Sequence, residues 1–128
     1  MTESELLEAA RQVSRNAYCG YSLFPVGAAL IAEDGRVFQG CNVENASYGL
    51  SICAERAAVF TAVAAGVRKI KRMAVSCTKG DATRPATLMP CGACRQVIAE
   101  FATPDFMILI DGVGARTLAE ILPDPFQP

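Results

Sequence analysis

Three cysteines and one glutamate stand where two helices are predicted to begin. In the stretch SICAER, Cys53 and Glu55 are two positions apart; in MPCGACRQV, Cys91 and Cys94 are three apart. Residues three apart in a first helical turn share one face, so both sulfurs of the second motif reach one ion at about 2.3 Å. Alone, CGAC suits a metal, a dithiol redox pair or two packed thiols. Cys53 adds a sulfur from a separate strand-to-helix junction. Three protein ligands with an open fourth position are the pattern of a catalytic rather than a structural zinc. A fourth cysteine is not ruled out as a ligand, although Cys41 and Cys77 fall in predicted strands, where a buried thiol usually packs. Cys19 lies in a loop. Glu55 has two readings: complement to a helix dipole, or a base that takes a proton from water at the metal and passes it to substrate.

The chain contains no histidine. That excludes serine–histidine and cysteine–histidine nucleophiles and any metal site needing imidazole. Zinc with three thiolates is formally negative, so something must withdraw charge from the sulfurs. Two helix N-termini are candidates, as are hydrogen bonds from Arg56 and Arg95, each beside a motif residue.

The elements that must position these groups can be read from periodicity. Leu6, Leu7, Ala10, Val13 and Ala17 recur at three- and four-residue steps, which predicts a helix from Thr2 to about Tyr18. PVGAALIAEDGRVFQGCNV predicts two strands around an Asp34-Gly35 turn. CAERAAVFTAVAAG predicts a helix closed by Gly66. IKRMAVSC and DFMILID have the apolar continuity of covered strands, with a helix from about Cys91 to Phe101 between them. The end, ARTLAEILPDPFQP, reads as a short strand or turn, a brief helix and a tail limited by proline. Strands alternating with helices after a hairpin imply an α/β domain with a mixed sheet. In such sheets, sites form at the C-terminal ends of strands, where both cysteine motifs lie.

Composition sets further bounds. At 128 residues and 13.6 kDa, one domain over 1–128 is expected, burying about two-thirds of its unfolded surface. Hydrophobic residues make up 52% and mean hydropathy is +0.26, which alanine content or apolar surface buried against other subunits would explain. The net charge of −1 gives no footing for phosphate backbones, so no nucleic-acid partner is expected. VRKIKR is the one basic cluster and reads as solvated surface. No secretory or membrane-length apolar run is present, so no membrane association and a cytoplasmic location with reduced thiols are expected.

FPVGAAL, GCNVENASY, CAERAA and PCGACRQV, in this order and spacing, resemble the cytidine and deoxycytidylate deaminase superfamily, whose zinc signature is established. The resemblance runs from about Phe24 to Phe101 and more loosely through TLAEILPDPF. Cys53 in the first ligand position is similar to the small all-cysteine, homotetrameric type. The resemblance implies a three-layer α/β/α fold on a five-stranded mixed sheet, with ARTL as fifth strand. It assigns Cys53, Cys91 and Cys94 to one Zn²⁺ per chain, Glu55 to proton transfer, and Arg56 to the ligand sulfurs. Phe24 would stack on the pyrimidine, Asn42 and Glu44 would hold ribose hydroxyls, and Ala54 would offer its N–H to the base. Tyr48 and Phe126 would reach a neighbouring subunit's site. The implied reaction is hydrolytic deamination of cytidine and 2′-deoxycytidine in pyrimidine salvage. Independently of the family, Asn42 and Glu44 flank Val43 at a strand end and so point the same way. Met89 departs from the serine or threonine usual before PCG, with little consequence expected, and the loop TKGDATRPATL differs in detail. The competing readings are an aminohydrolase of the same scaffold acting on a blasticidin-type nucleoside, an editor of polynucleotides, and a non-enzymatic zinc or redox module.

Overall fold

Alternation along the strands sends apolar side chains to both faces of one five-stranded sheet. The computed structural model describes residues 1–128. Its strands are β1 (Val26–Ala32), β2 (Val37–Cys41), β3 (Ile70–Cys77), β4 (Ala102–Ile110) and β5 (Gly114–Thr117). They lie in the order β2-β1-β3-β4-β5. Neighbours are antiparallel except β3 and β4, a parallel pair that needs a crossover connection. The helices are α1 (Glu3–Val13), α2 (Ala54–Ala64), α3 (Gly92–Phe101), which is that crossover, and α4 (Leu118–Ile121).

Ala28, Leu30, Met73, Val75, Phe106, Ile108 and Ile110 point to one face and form the main core with Val59 of α2, Ile98 of α3 and Ile121 of α4. Ala29, Ala74 and Leu109 point the other way and meet Leu6 and Ala10 of α1. The layers are therefore α1, sheet, then α2, α3 and α4. This is the α/β/α arrangement with the mixed sheet expected from sequence.

Small residues decide how closely the helices approach. Ala54, Ala58 and Ala62 recur at four-residue steps on α2 and are fully buried. A Cβ on Gly40 of β2 would lie 2.6 Å from the Ala54 carbonyl and 2.4 Å from the Ala58 nitrogen. The alanine content of α2 is thus what lets its first turn lie flat on the sheet.

Element ends differ from the sequence reading: β2 ends at Cys41 rather than running on to Val43, which keeps only isolated bridges to Tyr18 and Ile52. The first helix stops at Val13, and the Ser14 hydroxyl bonds the Arg11 carbonyl at 2.6 Å as the chain tightens into a single 3₁₀ turn. Strand β4 begins at Ala102 rather than Asp105, because Ala102 pairs with Ile70 before an irregular stretch delays the ladder until Met107. The predicted Asp34-Gly35 turn is present, with Gly35 at φ 91°. No helix is long and apolar enough to cross a membrane.

Candidate active site

Cys53 and Cys91 each occupy the N-cap of a helix in extended backbone conformation, and neither side chain bonds a backbone amide. Serine or aspartate at such a position turns back to satisfy the first helical turn. Cysteine instead leaves its sulfur beside unpaired amides and the positive end of the dipole, where a thiolate is favoured. The third residue past an N-cap lies next to it, the relation a capping box exploits. In α3 that residue is Cys94; in α2 it is Arg56.

The structure brings the three sulfurs together, all within 4.8 Å of one another. Cys53 Sγ and Cys91 Sγ are 3.8 Å apart, and Cys91 Sγ and Cys94 Sγ 3.4 Å. A tetrahedral ion about 2.3 Å from each sulfur sets them about 3.8 Å apart, so the donor set fits Zn²⁺. Arg56 Nη2 donates to Cys53 Sγ at 3.3 Å, while Arg56 Nε is buried without a partner. A buried unpaired guanidinium N–H is costly unless negative charge lies close by, which a thiolate cluster supplies.

Titration follows this layout. The Cys53 thiol is pulled down to about 5, first by hydrogen bonding with Cys94 and then, against burial, by Arg56 and Cys91. Cys94 moves the opposite way, because its hydrogen bond to Cys53 and its burial keep its proton on. Glu55 is 4% exposed, and burial pushes its carboxyl up to about 7. Near neutrality it is therefore poised to take up or release a proton, the property that general acid–base catalysis uses.

Cys53, Ala54, Glu55, Arg56 and Cys91 line one end of a cavity of about 560 Å³. Phe24, Asn42, Glu44 and Tyr48 line it as well. Cys94 is fully buried behind the other two sulfurs. As the first residue of α2, Ala54 has an N–H without a helical acceptor. Asn42 accepts from Val26 N at 2.8 Å and donates to the Phe24 carbonyl at 2.9 Å. Glu44 accepts from Tyr21 N, Ser22 N and Ser22 Oγ. Tyr48 stands at the rim, its ring edge-on to Tyr21 with centroids 5.9 Å apart.

Two sequence-predicted residues lie elsewhere. Phe126 is 76% exposed, held through its backbone by Gln96, and does not line this chain's cavity. Arg95, a candidate donor to the sulfurs, donates instead to the Pro90 carbonyl at 2.8 Å and the Ile121 carbonyl at 2.6 Å. It braces the residue before Cys91 against α4. The cavity also takes in Ser22, Cys77, Thr87 and Met89, which the sequence reading left out of the site. Cys77 was findable, because it is the C-terminal residue of the central strand β3, at the strand end where sites form. Burial pushes its thiol up to about 12.

Three sulfurs and a buried carboxylate at two helix starts, on the C-terminal edge of an α/β/α sheet, define a metal-dependent hydrolytic site. A family model described as the cytidine and deoxycytidylate deaminase zinc-binding region matches residues 1–110. A cytidine deaminase of Sporosarcina psychrophila is 45% identical over 131 residues, covering 99% of this chain and 93% of its own length. One from Mycobacterium tuberculosis H37Rv is 46% identical over 118 residues, covering 91% and 84%. The crystal structure of cytidine deaminase from Burkholderia pseudomallei has a TM-score of 0.87 at 46% identity, covering 98% of this chain and all of the other. The chain belongs to the cytidine and deoxycytidylate deaminase family.

Proposed function

We infer that this protein hydrolyses cytidine and 2′-deoxycytidine to uridine and 2′-deoxyuridine, releasing ammonia, as a step of pyrimidine salvage. The observation that carries this is the meeting of the Cys53, Cys91 and Cys94 sulfurs within 4.8 Å of one another, two of them on the wall of a cavity also lined by buried Glu55, Asn42 and Glu44. One Zn²⁺ per chain, when bound there, supplies an electrophilic centre with a free position that acidifies water. Glu55 accepts a proton from the attacking water and returns protons to ring N3 and to the departing amine. Phe24 stacks on the pyrimidine and the Ala54 N–H meets the base. Asn42 and Glu44 hold sugar hydroxyls. Arg56 fixes the ligand sulfurs and offsets their charge.

The whole chain acts as one domain, in a cytoplasmic homotetramer with shared sites, in which Tyr48 and Phe126 of one subunit reach the next. Support comes from the exposed apolar residues Tyr18, Tyr21, Leu23, Val43, Tyr48 and Leu50, all within residues 18–50, the part of the chain that also supplies Phe24, Asn42 and Glu44 to the cavity. Sedimentation checks this: a species about four times the chain mass is expected, and a monomer at assay concentration would remove the shared site.

The activity test is direct. Purified protein is incubated with cytidine and with deoxycytidine, ultraviolet absorbance and ammonia are followed, and zinc per chain is quantified. Zinc near one per chain with no ammonia from either nucleoside overturns the substrate assignment. Ammonia from a different aminopyrimidine nucleoside would then transfer the reading to an aminohydrolase of another specificity. Zinc without any deaminase activity would leave a structural module.

A further inference from the structure

We propose that Ser22 is a positioning residue for sugar recognition, its hydroxyl fixing the Glu44 carboxylate so that one acceptor site remains turned to a substrate hydroxyl. This rests on the reading of Glu44 as a holder of the sugar. Neither CAER nor PCGAC contains the residue; the stretch YSLFP does.

Counting acceptors leads to it. An ionised carboxylate has about four lone-pair sites. In Glu44, Oε1 accepts from Tyr21 N at 3.1 Å and Ser22 N at 3.0 Å, and Oε2 accepts from the Ser22 hydroxyl. One site is left. The direction of the hydroxyl is set as well, since Ser22 Oγ accepts from Phe24 N at 3.0 Å and so turns its own proton toward Glu44. Asn42 is similarly committed. Its amide spends one N–H on the Phe24 carbonyl, leaving one donor. A free donor and a free acceptor in one cavity suit a sugar hydroxyl, which both gives and takes a hydrogen bond.

The backbone is strained to make this arrangement. Leu23, between Ser22 and Phe24, has φ 59°, a left-handed conformation that non-glycine residues rarely adopt. Leu23 is 63% exposed in the single subunit, so nothing within that subunit buries its side chain in compensation. What the turn achieves is to aim Tyr21 N, Ser22 N and Ser22 Oγ at one carboxylate while Phe24 N feeds the hydroxyl. Through that one oxygen, the residue for the base and the residue for the sugar are joined.

The test compares kcat/KM for cytidine and for 2′,3′-dideoxycytidine, which lacks both ring hydroxyls, in zinc-loaded wild type, Ser22→Ala, Ser22→Thr and Glu44→Ala. Losing a charge-assisted hydrogen bond predicts that Ser22→Ala shrinks the cytidine preference about tenfold. The larger loss falls on cytidine; the dideoxy substrate loses less, and only through the Phe24 N–H that the variant leaves without its acceptor. Ser22→Thr, which keeps the hydroxyl, retains the wild-type preference. An equal loss on both substrates, or an unchanged preference, overturns the proposal. Should Ser22→Ala not fold, near-isosteric Ser22→Cys donates more weakly and must show the same shrinkage; an unchanged preference there overturns it too. Glu44→Ala separates the two readings. If it keeps the wild-type preference, Glu44 does not read the sugar and both readings fall. If it abolishes the preference while Ser22→Ala does not, only the role of Ser22 falls.

Discussion

Arg56 Nη2 lies 3.3 Å from Cys53 Sγ, and the two residues stand at the third position and the N-cap of the same helix. The contact joins a guanidinium to a sulfur that the same helix start already favours as a thiolate. Partners of metal ligands typically contribute 10–100-fold in metal affinity. Arg56→Ala is therefore expected to lose zinc at least tenfold faster to a mild chelator, with a much smaller change in unfolding midpoint of the loaded protein. Equal metal content in both proteins after the same chelation would refute the role.

Glu55→Gln keeps shape and burial while removing the carboxyl proposed to carry the proton. Turnover should fall by about 10²–10⁴ or more with zinc content unchanged. A variant that retains zinc and wild-type turnover would strip Glu55 of its part in the reaction.

The same residue gives a signature in the metal-free protein. Its folded pKa is raised from 4.5 to about 7 by burial. The protonated form is the one the fold prefers, so its contribution is complete below about pH 4.5 and fades as pH rises through about 7. A shift of this size is worth about 3 kcal/mol. Glu55→Gln lacks that loss, so its stability relative to wild type should improve by about this amount between pH 4 and pH 8. Urea titrations with chelator at both pH values measure it, and a flat difference would count against burial as the cause.

Asp111, at the end of β4, ties the first layer to the sheet. It accepts from Arg11 Nε and Nη2 and from Ser76 Oγ, each at 2.8 Å. Arg11 first, and Ser76 after burial has opposed it, hold its carboxyl below the usual range. Ser76 is fully buried, so Asp111→Ala leaves its hydroxyl without this partner, at a cost of about 1–3 kcal/mol. The carboxylate's own part is present above its unfolded pKa of 3.8 and fades as pH falls through the lower folded value. The deficit of Asp111→Ala should thus be largest at neutral pH and shrink in acid. A deficit that grew on acidification would contradict the pairing.

What could be read from sequence was what is local. Strand alternation, the Asp34-Gly35 turn and the three-residue step in CGAC are each set within a few residues, and each appears in the structure. What could not be read depends on partners far along the chain. Arg95 sits beside a zinc-ligand motif, yet its guanidinium finds the Ile121 carbonyl 26 positions away. Asn42 and Glu44 look free in GCNVENASY, yet Glu44 gives most of its acceptor capacity to Tyr21 and Ser22, and Asn42 bonds Val26 N and the Phe24 carbonyl. No periodicity encodes the turn around Ser22, because its left-handed residue is a leucine rather than the expected glycine or asparagine.

Gly40 is where fold and site meet most tightly. A Cβ there would stand 2.4 Å from Ala58 N, 2.6 Å from Ala54 O and 2.9 Å from Ala57 C. All three are backbone atoms, so no side chain can swing away and α2 itself must lift. That helix carries Cys53 at its cap, Glu55 and Arg56 in its first turn, whereas Cys91 and Cys94 belong to α3. Moving one helix relative to the other separates the sulfurs. Overpacking of this kind costs about 1–3 kcal/mol, which a domain of this size can survive. Gly40→Ala is therefore expected to fold with a lower unfolding midpoint and to lose zinc affinity out of proportion to the stability lost. A variant with a lowered midpoint but wild-type zinc affinity would mean that α2 accommodates the methyl group without shifting Cys53.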